Sequence, residues 1–183
     1  MSTAVAYDEL TEKVLTSFLE MVRIDSPSGH EEPMCEYLIE RCKALGLEYA
    51  VDPAGNLVVE VSKHDCEHES ILVLSGHMDV VPPCIGVQPN VEGEGDERLV
   101  TSDNTTVLGA DCKSGLAPIL EVVALCLREN LPRPQLRLIF TTREEVALMG
   151  AKEIGDEPLQ ANFSLIFDHT GEQGTIIHEA PTY

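Results

Sequence analysis

Thr141-Thr142-Arg143-Glu144-Glu145-Val146 decides how this chain is read, because it follows the apolar β-type run of Leu136, Leu138, Ile139 and Phe140 and carries two adjacent carboxylates. Three more chemistry-bearing residues also follow apolar runs. They are His77 in Gly76-His77-Met78-Asp79, Asp111 in Gly109-Ala110-Asp111-Cys112-Lys113-Ser114-Gly115, and Asp168 in Ile166-Phe167-Asp168-His169. In an open α/β sheet, groups beyond the carboxyl ends of the strands meet in one crevice. One imidazole and several carboxylates gathered there make a site for zinc or a hard cation, with a carboxylate to spare as general base. Each motif alone is weak. Four in order are a strong signal.

Apolar periodicity supplies the elements around these motifs. Leu10, Val14, Phe18, Met21 and Val22 recur at helical spacing over residues 8–24, and Ser26-Pro27-Ser28-Gly29 then breaks the chain. A second helix is predicted from Glu31, with Leu38, Cys42 and Leu45 on one face and Gly46 at its C-terminal cap. Residues 47–51 and 57–61 flank Pro53-Ala54-Gly55-Asn56 and read as a β-hairpin, and 71–75 reads as a buried strand. Residues 82–102 form a long loop containing a short hairpin. A helix apolar almost all round is predicted over 115–129, a strand over 135–142, a short helix over 146–154, and strands over 163–167 and 175–177. Helices and strands interleave, so the expected fold is α/β in three layers, a mainly parallel twisted sheet flanked by helices.

Composition narrows the function. The 183 residues make one domain or part of a larger one. With 43% hydrophobic residues, 4% aromatic and no Trp, the core must be built mostly from aliphatic side chains. Twelve basic against 32 acidic residues give a formal charge of −20, which argues against nucleic acid or an anionic membrane as partner. No segment reaches 18 apolar residues, and the first ten residues lack the basic and apolar regions of a signal peptide, so a cytoplasmic protein is expected. Cys35, Cys42, Cys66, Cys84, Cys112 and Cys126 include no Cys-x-x-Cys pair and read as small buried hydrophobes in a reducing compartment.

Taken singly, each candidate has a plainer explanation. His77 and Asp79, two apart on an extended chain, point the same way and satisfy each other as readily as they prepare a metal ligand. Asp111, taken alone, reads better as a helix cap. Glu144 and Glu145 read as an acidic pair at a helix start, and Asp168 as a strand-end turn. His64-Asp65-Cys66-Glu67-His68 falls where a polar hairpin tip is expected, so it is read as solvent-facing.

Gly76-His77-Met78-Asp79, the Gly109–Gly115 stretch, Glu144-Glu145-Val146 and Phe167-Asp168 resemble, as an ordered set, the metal-site motifs of the co-catalytic zinc exopeptidases. That family includes peptidase T, carboxypeptidase G, the aminoacylases and succinyl-diaminopimelate desuccinylase. Phe18-Leu19-Glu20-Met21-Val22-Arg23-Ile24-Asp25-Ser26-Pro27-Ser28-Gly29 and Ala180-Pro181-Thr182 are most similar to its peptidase T-like branch. The resemblance implies two zinc ions per complete active site. His77 and Asp168 would bind one, Asp111 would bridge, and Glu145 would bind the second. Glu144 would be the general base and Asp79 would orient His77. Cobalt or manganese would also suit such donors. A cis Asp111–Cys112 peptide is implied as well.

Aspartate at the position of Asp168 goes with the aminopeptidases of the family. The implied activity is therefore hydrolysis of short peptides from the free N-terminus. The alternatives are a deacylase of N-acyl amino acids and an inactive, truncated metal-binding fragment. Two positions depart from the branch: Cys112 stands where a second Asp is usual, and Ala147 where Gly is common. In the family a lid and dimerisation domain follows at about Ala180-Pro181, and a returning C-terminal catalytic segment brings the last histidine ligand of the second metal. Residues 1–183 correspond to the N-terminal segment of the catalytic domain, and none matches that histidine. The expected behaviour is tight binding of about one metal, little or no peptidase activity alone, and self-association or homodimerisation through the exposed, incomplete core.

Overall fold

Helix α1 (Thr3–Val22) is the first element of the computed structural model, which describes residues 3–169 and 175–177. Helix α2 (Glu32–Ala44) follows the Ser26–Gly29 break. It carries Pro33 in its first turn, where a missing N–H costs nothing, and it stops before Gly46, which sits at φ +69°. Leu45 lies at the C-cap, one residue beyond the helical face expected of it. Strands β1 (Glu48–Val51) and β2 (Leu57–Val61) pair antiparallel as the expected hairpin. The Asp52 carboxylate shapes its turn by accepting the Ala54 and Asn56 amides at 2.8 and 2.9 Å.

Strand β3 (Ile71–His77) leads into the long loop, where β4 (Asn90–Glu92) and β5 (Leu99–Thr101) form the short hairpin. Helix α3 (Ala110–Arg128), strand β6 (Gln135–Thr141), the short helices α4 (Met149–Glu153) and α5 (Asp156–Leu159), and strand β7 (Phe163–Ile166) complete the order.

The main sheet runs β1-β2-β6-β3-β7. Strand β6 is parallel to β3, β3 is parallel to β7, and β2 is antiparallel to both β1 and β6. Four of the five strands therefore point the same way, and β2 alone opposes them. The sheet is mixed but mainly parallel and is flanked by helices, as the interleaved pattern predicts. Alternate residues of β2 (Leu57, Val59, Val61) and β6 (Leu136, Leu138, Phe140) face a core shared with Leu116, Ile119, Leu120 and Val123 of α3. Phe18, Met21 and Val22 of α1 and Met34, Leu38 and Cys42 of α2 join the same core, whose buried aromatic members among the described residues are Phe18 and Phe140. One polar cross-link ties the three helices together. Arg41 of α2 pairs with the buried Glu121 of α3 and donates to Ser17 of α1 at 2.9 Å.

The structure corrects several details. The helix expected over 146–154 begins only at Met149, because Ala147 (φ +67°) and Leu148 (φ +57°) adopt left-handed backbone that no α-helix accommodates. Residues 175–177 belong to no strand among the described residues, and the short helix α5 has no counterpart in the sequence pattern. Cys35, Cys42, Cys84 and Cys112 are buried, whereas Cys66 and Cys126 are only half-buried; all six are free thiols. Ala180-Pro181-Thr182 lies outside the described residues. Strand β7 forms one edge of the sheet and exposes Phe163, Leu165 and Ile166. Among the described residues no helix is long and apolar enough to cross a membrane.

Candidate metal centre

The carboxyl ends of β6, β3 and β7 lie side by side, and their register sets the site. His77 closes β3 opposite Thr141, the last residue of β6. The Met78 amide donates to Thr141 O at 2.8 Å and the Phe167 amide to Ser75 O at 2.9 Å, so both neighbouring chains stay pinned as they leave the sheet. Asp168 thus emerges beside His77 on one flank, and Glu144 and Glu145 on the other.

Asp111 arrives from the start of α3. Gly109 (φ +73°) turns the chain, Asp111 keeps non-helical backbone (φ −81°, ψ 114°), and the Asp111–Cys112 peptide is cis. Two glycines permit this approach. A Cβ on Gly76 would lie 2.9 Å from both Cys112 Sγ and Leu116 Cδ2, and one on Gly115 would lie 2.5 Å from the Phe167 carbonyl oxygen.

His77 Nε2 lies 3.1 Å from Asp111 Oδ1, 3.7 Å from Asp168 Oδ1 and 3.9 Å from Glu144 Oε2. Donor atoms of His77, Asp111, Cys112 and Asp168 all fall within 4.8 Å of one another, as do those of His77, Glu144 and Glu145. The imidazole is 1% exposed while the Asp111 carboxylate is 59% exposed, so the cluster has a closed floor and an open mouth. Among the described residues only these two groups bring three or more such donors together. The His64–His68 segment does not: the His64 backbone instead bridges Arg133. His169 is exposed, and His178 lies outside the described residues.

Asp79, wholly buried, lies beneath this cluster. His77 Nδ1 lies 2.9 Å from the Asp79 carbonyl oxygen and 3.3 Å from its Oδ1. An Nδ1–H facing those oxygens leaves Nε2 as the ring nitrogen turned toward the carboxylates. The same carboxylate accepts the Glu144 amide at 2.9 Å, the Glu145 amide at 3.1 Å and the Ser28 hydroxyl at 2.7 Å. One residue therefore braces both the imidazole and the acidic pair.

Electrostatics follow from this crowding. Burial alone would push the His77 pKa down, but hydrogen bonds to Asp168 and Asp79 and the charges of Cys112 and Asp168 outweigh it, and it rises to about 11. Burial works against Asp79 ionising, yet His77, Ser28 and the two backbone amides hold its pKa at about 2. Glu144 and Glu145 move upward, first through burial and then through neighbouring carboxylates, with His77 opposing. Lys113, 2% exposed, donates to Ile24 O at 2.8 Å, and burial pushes its pKa down to about 8. It fastens the start of α3 to the loop after α1.

The donors suit a divalent cation. Zinc bonds of about 2.0–2.2 Å place ligand atoms up to about 4 Å apart, within small side-chain rotations of the spacing here. Carboxylate oxygens, and the His77 Nε2 once a cation displaces its proton, are the donor types zinc takes. Sequence reasoning missed Ser28, the Cys112 sulfur and Asn56, whose Oδ1 accepts the Thr142 amide at 3.0 Å. No periodicity or spacing marks a side chain that acts through a hydrogen bond to a distant part of the chain.

The chain is similar to known peptidases. Residues 56–177 match the model of peptidase family M28. The chain is 34% identical over 178 residues to the uncharacterised protein YqjE of Bacillus subtilis (strain 168), covering 93% of this chain and 46% of that one. A tripeptidase from Staphylococcus aureus subsp. aureus Mu50 superposes with a TM-score of 0.81 at 38% identity, covering 87% of this chain and 44% of that one. Aminopeptidase PepT from Bacillus cereus ATCC 10987 superposes with a TM-score of 0.80 at 30% identity, with the same coverage of 87% and 44%. The chain thus spans less than half the length of these relatives.

Proposed function

The chain belongs to peptidase family M28, and on that premise we propose that it is the N-terminal catalytic segment of a metal-dependent aminopeptidase acting on short peptides. The observation that carries the reading is the meeting of His77 with Asp111, Asp168, Glu144 and Glu145 at one edge of three parallel strands. Similarity to a tripeptidase and to PepT supports the substrate class.

In this reading His77, Asp111 and Asp168 hold one ion, and Asp111 with Glu145 offers a second position that lacks a third protein ligand among the described residues. A bound zinc would polarise the scissile carbonyl and lower the pKa of water to about 7. Glu144 takes the proton from the attacking water and returns it to the leaving amine, a task that its upward-shifted pKa favours. Asp79 fixes the His77 tautomer and holds the backbone that carries Glu144. The −20 charge argues against nucleic acid as a partner.

The test compares a tripeptide with a free amino end, the same peptide N-acetylated, and N-acetyl amino acids, using the longest form that the reading frame encodes. The expected result is zinc-dependent cleavage of the free peptide, reduced about 10²–10⁴-fold by Glu144→Gln. Preference for the acetylated substrates, or an undiminished Glu144→Gln variant, overturns the proposal.

A further inference from the structure

We infer that Glu31 is a positioning residue for the general base, clamping the backbone of Arg143 so that Glu144 is presented to the cleft; this rests on the role proposed for Glu144. The segment after β6 leaves the sheet through backbone that hydrogen bonding must enforce. Arg143 has φ +52°, a left-handed conformation that side-chain-bearing residues avoid, and Ala147 and Leu148 share it. Four consecutive amides of this segment are each bound by a side chain from elsewhere in the fold. The Thr142 amide donates to Asn56 Oδ1 at 3.0 Å, Arg143 to Glu31 Oε1 at 2.9 Å, Glu144 to Asp79 Oδ1 at 2.9 Å, and Glu145 to Asp79 Oδ2 at 3.1 Å.

Glu31 is the unexpected member of this set. It is 5% exposed, and its Oε1 also accepts the Gly29 amide at 2.9 Å. The Arg143 guanidinium reaches Glu153 at 3.4 Å instead, so the acid and the arginine meet through the backbone. Burying a carboxylate is costly unless hydrogen bonds compensate, and for Glu31 the Gly29 and Arg143 amides provide that compensation. Here they join the loop that carries Ser28, itself bonded to Asp79, to the residue preceding Glu144. Glu31 and Asp79 therefore grip the acidic pair from two sides, and loss of Glu31 leaves the left-handed turn free to relax.

The experiment uses the metal-free chain. Amide exchange is followed by mass spectrometry over residues 142–146 in the wild type, Glu31→Ala, Glu31→Gln and Glu31→Asp. Glu31→Ala is expected to speed exchange there by about tenfold while β3 and β6 stay protected. Glu31→Gln keeps an acceptor oxygen at the same reach and should restore wild-type exchange. Glu31→Asp keeps the charge but falls short and should behave like Ala. Unchanged exchange in Glu31→Ala overturns the inference, as does equal acceleration throughout the sheet or a Gln variant as fast as Ala. If Glu31→Ala does not fold, the Gln and Asp variants decide, and a protected Asp variant overturns it. Cobalt(II) titration of the same set should show the weaker binding step loosened about tenfold in the Ala variant and restored by Gln; a cobalt profile for Ala equal to wild type overturns the inference. A wild-type chain that binds no metal refutes the proposed function instead, and the exchange result then stands by itself.

Discussion

Replacing Asp79 with Asn tests the brace beneath the site, because it keeps the volume and removes the charge. The wild-type carboxyl is held at about 2, below its ordinary value of 3.8. Each pKa unit is worth about 1.4 kcal/mol, so the lowering corresponds to roughly 2 kcal/mol of native-state stabilisation. A group whose folded pKa is depressed contributes fully above its unfolded pKa and loses that contribution as pH falls toward the folded value. Urea unfolding in the presence of a chelator should therefore show Asp79→Asn less stable than wild type by roughly 2 kcal/mol at pH 7, with the difference falling to about half at pH 3. The Asn side chain also turns an N–H toward donors that the carboxylate accepted, which pushes the neutral-pH difference upward. A difference that stays constant between pH 7 and pH 3 would refute the claim that ionised Asp79 holds His77 and the amides of Glu144 and Glu145.

Two other substitutions probe the scaffold. Gly115→Ala forces a Cβ to within 2.5 Å of the Phe167 carbonyl oxygen. It should cost about 1–3 kcal/mol in urea unfolding and weaken zinc binding by displacing Asp168; wild-type stability and affinity would contradict the close packing of α3 on β7. Ile166→Lys places a charge on the uncovered edge strand, where Ile166 is 71% exposed. Sedimentation velocity should show self-association of the wild-type chain reduced in this variant, and an equal degree of association would locate the contact elsewhere.

Much of this arrangement can be read in the sequence because a parallel strand declares its end. An apolar run such as Leu136 to Phe140 stops where polar groups appear, and β6, β3 and β7 all stop at one edge. The hairpin around Pro53-Ala54-Gly55-Asn56 is legible for a similar reason, since its turn residues are local. Local pattern fails where distant contacts govern the backbone. Residues 146–148 have helical composition, yet the left-handed angles at Ala147 and Leu148 delay the helix to Met149. The same holds for Ser28 and Asn56, which act through hydrogen bonds to groups 51 and 86 positions away. Residues 175–177 read as a strand by composition but belong to no strand among the described residues.

The most direct test of the account is zinc titration of the metal-free chain by calorimetry, for the wild type, His77→Ala and Asp168→Ala. His77, Asp111 and Asp168 supply three protein ligands to one position, the number a catalytic zinc site ordinarily has, whereas Asp111 and Glu145 supply two to the other. About one zinc should bind tightly per wild-type chain, and both variants should lose that tight binding. Undiminished tight binding in His77→Ala or Asp168→Ala would contradict it.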